Sequence, residues 1–236
     1  MPLSLVCLAS GKGSNIMAVM RAIDDGLLDA RLELILSNNP EAGILKYAEE
    51  RGIPTFVRDH KQYASREDFD REFIEAINAV PGEKVVVLAG YMRILTAGFI
   101  RSFAGRIVNI HPSVLPSFPG ARGGPDALAH GVKMTGCTAH FVDEVLDNGP
   151  IIIQAVAPVS TEDTAESLMQ RIHGLEHIIL PQALSWMAQR RLRVTGRKVE
   201  LLGSDRKTAL PATAKTGEGP NGAFMISPSP DSEFWA

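Results

Sequence analysis

The chain has 236 residues, 45% of them hydrophobic, and a formal net charge of −3. That length and apolar content suit one α/β domain or two small ones around a real core. The charge supplies no general field for nucleic acid, so the expected partners are small molecules, with neither nucleic acid nor a membrane among them.

In chain order, Leu3–Ala9 reads as a buried strand. No basic segment precedes it, and Ser10-Gly11-Lys12-Gly13 ends the apolar run too early for a signal peptide or a membrane span; a cytoplasmic location is expected. Ile16–Ile23 has apolar residues at helical spacing. Leu32–Leu36 is a second strand, closed by Ser37-Asn38-Asn39-Pro40, and Ala42–Arg51 is helical. Thr55–Val57 is a short strand. Arg66–Ile77 predicts an amphipathic helix, with Ser65 as N-cap and Asp68 three residues on. Lys84–Leu88 and Ile107–Ile110 are further strands. The alternation predicts an α/β fold with a doubly wound, mostly parallel sheet flanked by helices. Ligands gather at the carboxyl ends of such strands, where the glycine loop after Ala9, the segment after Leu88 and Asn109-Ile110-His111 all fall.

The second half changes character. Thr135–Val142 and Ile151–Val159 predict longer strands flanking a turn at Asp147. Asp163–Gln189 predicts a long helix, capped by Asp163 with Glu166 completing the cap and kinked at Pro181. Leu192–Leu202 predicts a hairpin. From Ser204 the composition shifts to Pro, Gly, Ser, Thr and Ala, which predicts a flexible, low-complexity tail over 204–236 with Phe224, Phe234 and Trp235 as weak anchors.

Several segments carry chemistry. Ser10-Gly11-Lys12-Gly13-Ser14-Asn15 follows a strand and opens a helix, a setting that suits a phosphate and equally a plain tight turn. It is neither G-x-G-x-x-G nor a Walker loop, which argues against a dinucleotide and against ATP. Asn109 and His111 lie two residues apart on one strand face. Asp147, in Leu146-Asp147-Asn148-Gly149-Pro150, could be a turn former or a functional carboxylate. An amide, an imidazole and a carboxylate together suit transfer of an acyl group to an amine: the amide and imidazole meet an oxyanion, and the carboxylate favours the charged imidazole. Gly90-Tyr91-Met92-Arg93-Ile94-Leu95 is either a helix N-terminus on the sheet or an apolar slot for a flat heterocycle. Cys7 and Cys137 read as buried free thiols. His60, His130 and His177 read as surface or packing residues, and His140 as a neighbour of the site. His140, His173 and His177 form no ligand set, so no metal is expected.

Taken together, Ser10–Asn15, Val87–Leu95, Asn109–Pro116 and the run from His140 to Pro150 resemble the phosphoribosylglycinamide formyltransferase family, over Leu3 to about Leu202. The resemblance implies a Rossmann-type formyltransferase fold over 1–203, with a phosphate-binding half (about 1–105) and a folate-binding, catalytic half (about 106–203). It implies formyl transfer from 10-formyltetrahydrofolate, as co-substrate, to the amine of 5′-phosphoribosylglycinamide in de novo purine biosynthesis, by a monomer or homodimer. By position, Gly13, Ser14, Asn15 and Glu176 would hold the ribonucleotide. Arg66, Met92, Arg93, Ile94, Leu95, Asn109, Asp143, Glu144, Val145, Leu146 and Asp147 would line the folate site. Asn109, His111 and Asp147 would be catalytic, with His111 the proton donor and Asp147 favouring its protonated form. Ala121–Asp126 departs from the family pattern, and no contact is carried over there.

Three other readings compete. A formyltetrahydrofolate hydrolase shares the Asn/His/Asp logic, but usually carries an extra N-terminal domain and lacks the Gly-x-Gly-Ser-Asn loop. A formyltransferase for initiator tRNA needs a further, basic C-terminal domain. A non-catalytic phosphosugar-binding module leaves the complete Asn109, His111 and Asp147 set unexplained.

Overall fold

A computed structural model describes residues 1–203, 215–219, 222–228 and 231. The chain divides into two compact units, Met1–Asn109 with Phe141–Val145, and Ile110–His140 with 146 onward.

The first unit is built on parallel pairing. Its strands are β1 (Leu3–Leu8), β2 (Ala30–Ser37), β3 (Thr55–Val57), β4 (Lys84–Leu88) and the first part of β5 (Ile107–His111). β1 pairs with β2 and β4, β2 with β3, and β4 with β5, all parallel. The spatial order is therefore 3-2-1-4-5, and it reverses at β1, as the doubly wound expectation requires. Between the strands run α1 (Ser14–Asp24), α2 (Ile44–Glu50), α3 (Arg66–Ala79) and α4 (Ala97–Ser102). Every residue of β4 is buried, the mark of a central strand covered on both faces. One face carries Val6, Leu8, Leu34, Leu36, Val86 and Leu88, packed with Phe69, Phe73 and Ile77 of α3 and Phe99 of α4. Phe69 and Phe73 sit 4.5 Å apart, ring to ring. Each fully buried aromatic of this kind contributes about 1.5–3 kcal/mol. Ser65 caps α3 as expected, its hydroxyl accepting from the Asp68 N–H at 3.0 Å.

The second unit pairs antiparallel. It holds α5 (Gly123–His130), most of β6 (Met134–Phe141), β7 (Ile151–Pro158), α6 (Ala165–Ala188) and the hairpin β8–β9 (Leu192–Thr195, Lys198–Leu201). β6 and β7 run antiparallel over nearly their whole length, so the two expected long strands form one ribbon. α6 packs on β7 and α5. Its cap differs from expectation. Thr164, not Asp163, is the N-cap and Ser167, not Glu166, completes the box. Asp163 instead accepts from the Ser160 N–H, the Ser167 hydroxyl and Arg171. A hydroxyl one residue nearer the helix meets the free N–H groups with less reach, so Thr164 wins the position.

Within 204–236, expected as a flexible tail, the described residues form strands. β10 (Lys215–Gly219) and β11 (Gly222–Ser227) form an antiparallel pair, and β11 adds to the open edge of β7 at Met225, Ile226 and Ser227. Ile226 is fully buried, and Asp231 binds α6 through Gln182 and Trp186. The composition argument averaged over the segment and missed this. A strand edge satisfies backbone groups whatever the side chains, and one buried Ile plus one bonded carboxylate hold the end. Residues 204–214, and the expected anchors Phe234 and Trp235, lie outside the described residues; Phe224 is half-buried.

Candidate active site

In the first unit, the carboxyl ends of β1, β2 and β4 are tied together through Ser10. Its N–H donates to the Gly90 carbonyl at 3.1 Å, its hydroxyl donates to Asn38 Oδ1 at 2.6 Å, and the Met92 N–H donates to that hydroxyl at 2.9 Å. The glycine loop and the Met92 segment thus share one hydrogen-bonded frame. Gly13 is the N-cap of α1, with φ +73°, and a side chain there would meet Ile44 Cδ1 at 2.5 Å. Only glycine fits, and the cap position bears no side chain that would occupy the helix's amino end. Ser14 opens α1 half-buried and Asn15 is buried. This arrangement offers an anion a set of N–H groups and the helix dipole.

The segment after β4 is a loop, not a helix start: α4 begins only at Ala97, capped by Thr96, whose hydroxyl accepts from the Phe99 N–H. Met92 and Ile94 are 67% and 57% exposed, whereas Leu95 is buried in the core, so it supports this loop from beneath. Arg93 stacks 4.8 Å over the Phe69 ring, and Arg66, three residues before Phe69, is exposed at the start of α3. Asp143, Glu144 and Val145 belong to the same unit. Glu144 pairs with Arg101 of α4 at 3.0 Å, Asp143 accepts from the Val145 N–H, and Val145 is exposed. Met92, Ile94 and Val145 are large apolar side chains that remain exposed.

β5 carries the chain from one unit into the next. Asn109, half-buried, ends the first unit, and His111 stands two residues on along the same strand. In the second unit, His111 Nδ1 lies 3.5 Å from Asp147 Oδ2, with both side chains over nine-tenths buried. Asp147 takes φ +51°, a left-handed position that Asp tolerates better than most residues. The turn reading therefore holds for this residue, and its carboxylate is buried beside His111. Its Oδ2 also accepts from the Gly120 N–H at 2.7 Å, and its Oδ1 lies 3.9 Å from His140 Nε2. Glu176 is 3% exposed on α6. Leu146 is exposed.

The expected residues thus divide between the units. Gly13, Ser14, Asn15, Arg66, Met92, Arg93, Ile94, Leu95, Asn109, Asp143, Glu144 and Val145 fall in the first; His111, Leu146, Asp147 and Glu176 fall in the second. Sequence reasoning missed Ser10 and Asn38 as the frame of the loop, and Phe118 and Gly120 as holders of the buried pair. The polar Ser37-Asn38-Asn39 run at a strand end was the available signal for the former. Backbone groups leave no signal for the latter. Cys7 and Cys137 are fully buried free thiols, as expected. Burial pushes the Cys7 thiol up to about 12, and burial with the Glu176 carboxylate raises Cys137 well above its usual range, so neither is a nucleophile. His60 bonds to Asn38, and His130 packs edge-on to Phe118. Among the described residues, no group of three or more His, Cys, Asp or Glu is placed to hold a metal ion, and no helix is long and apolar enough to cross a membrane.

Comparison with known proteins places this geometry in context. The chain is 44% identical over 182 residues to the trifunctional purine biosynthetic protein adenosine-3 of Drosophila melanogaster, covering 76% of this chain and 13% of that protein. It is 39% identical over 192 residues to phosphoribosylglycinamide formyltransferase of Escherichia coli K12, covering 81% of this chain and 90% of that protein. The fold matches glycinamide ribonucleotide transformylase 1 from Symbiobacterium toebii with a TM-score of 0.82 and 40% identity, over 85% of this chain and 94% of that one. A formyltetrahydrofolate deformylase from Pseudomonas syringae pv. tomato shares the fold at 28% identity and a TM-score of 0.76, over 86% of this chain and 66% of that one, so fold by itself does not choose the acceptor. The formyl transferase profile matches residues 3–184, and the chain belongs to that family.

Proposed function

We propose that this chain transfers a formyl group from 10-formyltetrahydrofolate to the amine of 5′-phosphoribosylglycinamide, a step in building the purine ring of IMP. The observation that carries the reading is the buried His111–Asp147 pair, 3.5 Å apart, at the end of the strand that also bears Asn109. As the amine attacks the formyl carbon, the carbonyl electron pair moves onto oxygen. The Asn109 amide and protonated His111 donate to that oxyanion, and Asp147 offsets the imidazolium charge in a site where burial strengthens each interaction. When the intermediate collapses, the bond to the folate nitrogen breaks. The proton lost by the amine is the one gained by that nitrogen, passed through water.

Gly13, Ser14 and Asn15 hold the phosphate at the amino end of α1, and Glu176 binds the ribose or glycinamide side. Arg66, Met92, Arg93, Ile94, Leu95, Asn109 and Asp143 through Asp147 form the folate surface, whose exposed apolar members suit a flat heterocycle. The reading places the enzyme in the cytoplasm, acting on small molecules. The phosphate loop favours the ribonucleotide over water as acceptor. Donor deformylation followed by absorbance, with and without the ribonucleotide, tests this. Turnover that requires the ribonucleotide supports transfer; equal turnover without it makes the enzyme a hydrolase.

A further inference from the structure

The imidazole of His111 is held by both nitrogens, and the two contacts differ in kind. Nε2 lies 2.9 Å from the Phe118 carbonyl oxygen. A carbonyl can only accept, so Nε2 carries a hydrogen while this bond exists. Nδ1 faces Asp147 at 3.5 Å, longer than an ordinary hydrogen bond. From this asymmetry we propose that Nε2 is the anchor of the ring and Nδ1 its working nitrogen. The Phe118 carbonyl fixes the tautomer, with Ser113 and Gly123 as positioning residues. The assignment of Nδ1 as working nitrogen rests on the formyl transfer proposed above; the anchoring of Nε2 does not.

The carbonyl is itself held in place. Phe118 takes φ +51°, uncommon outside glycine, and the Ser113 hydroxyl donates to the Ser117 carbonyl at 2.5 Å and reaches the Phe118 carbonyl at 3.2 Å. The strand pair beneath fastens the same loop. Thr138 donates to the Ser113 carbonyl and accepts from the Leu115 N–H, and Gln154 donates to the Leu115 carbonyl. Two residues past Phe118, the Gly120 N–H holds Asp147 Oδ2 at 2.7 Å. One short loop therefore orients both members of the pair, giving a carbonyl to the imidazole and an N–H to the carboxylate.

Gly123 closes the cradle from behind. A Cβ there would stand 3.1 Å from His111 Nε2, 3.2 Å from the Phe118 oxygen and 3.0 Å from the Pro112 oxygen, wedged beside the anchoring bond. A side chain at position 123 would require the ring or one of the two carbonyls to give by a few tenths of an ångström. Position 123 belongs to the Ala121–Asp126 segment, to which the family resemblance carried over no contact.

In this arrangement the hydrogen that His111 presents to a developing oxyanion is on Nδ1, beside Asp147. The Nε2 hydrogen stays on Phe118 throughout. With one nitrogen spent on anchoring, the ring does not have to be ordered at the moment of reaction, which is how a preorganised donor gains its effect.

The test is ¹⁵N–¹H correlation of the imidazole nitrogens in the whole protein, with His111 assigned as the signal missing from His111→Gln. The proposal expects the neutral ring to carry its hydrogen on Nε2; a hydrogen on Nδ1 overturns it. Gly123→Ala supplies the kinetic arm, with turnover expected to fall roughly 10–100-fold through misplacement of the ring, KM for the ribonucleotide held, and the tautomer signal mixed. Unchanged turnover with an unchanged signal overturns the roles of Gly123 and of the anchor. If Gly123→Ala does not fold, the wild-type spectrum decides alone. An Nε2–H ring in a protein that transfers no formyl group overturns the proposed reaction, and with it Nδ1 as the working nitrogen, while the anchor stands.

Discussion

The parallel unit and the antiparallel unit solve different problems. The first offers its proposed binding surface through main-chain groups: a glycine that caps a helix, a loop after a strand, and a serine that joins them across the sheet. The second offers its proposed chemistry through buried side chains, His111 beside Asp147, with the Gly120 N–H holding the carboxylate. In the proposed reaction the main-chain groups set where the ligand rests, and the side-chain pair sets how a reacting group points. Damage to the first should therefore weaken binding, and damage to the second should slow turnover.

The largest effect expected is for Asp147→Asn, which keeps an acceptor for the Gly120 N–H and removes the charge beside His111. Turnover should fall roughly 10²–10⁴-fold with donor affinity little changed. Steady-state kinetics with a separate donor-binding titration checks both, and wild-type turnover would remove Asp147 from the mechanism.

Asp231→Ala separates stability from chemistry within the second unit. The carboxylate accepts from Gln182, Trp186 and Arg191, and the Asp231 N–H donates to Gln182. Removing it leaves buried donors without an acceptor and should cost about 2 kcal/mol in denaturant unfolding, while turnover stays near wild type. No loss of stability would mean that the C-terminal segment is not fastened to α6.

In the first unit, Gly13→Ala should weaken ribonucleotide binding roughly tenfold, or by about 1.4 kcal/mol, by driving a methyl into Ile44. The double variant with Ile44→Ala should recover part of that loss in calorimetry. Equal binding by Gly13→Ala would show that the loop is only a turn.

The smallest effect is at the start of α6. Burial tends to raise the Asp163 carboxyl, but hydrogen bonds from Arg171, the Ser160 N–H and Ser167 outweigh it and hold the carboxyl below its usual 3.8. A lowered value means that the unfolded chain binds the proton more readily. Stability from this group is therefore present above 3.8 or so and lost as pH falls through the lowered value. Arg171→Ala should cost roughly 1 kcal/mol at neutral pH and flatten that acid limb of the stability curve. An identical acid limb in the variant would show that Asp163 is not the group responsible.

How much could be read beforehand follows the same division. Thr55–Val57 and Lys84–Leu88 stand as strands at the expected residues, and Ser65 caps α3, because strand run and cap are local patterns. α4 was not foreseen: six residues are too few to show a helical period. In the site, Asn109, His111 and Asp147 were singled out by residue type and by resemblance, and the structure pairs His111 with Asp147. The groups that aim them, the Phe118 carbonyl and the Gly120 N–H, belong to the backbone, which every residue carries. The strand β11 was hidden for a related reason, since composition describes side chains and an open edge recruits main chain.

The central claim is that the formyl group leaving the folate arrives on the ribonucleotide. The direct measurement is stoichiometry: donor supplied with a labelled formyl carbon, and label counted on formylated ribonucleotide and on free formate. One label on the ribonucleotide for each donor consumed is the predicted result. Label released as formate while the ribonucleotide stays unmodified would contradict the account.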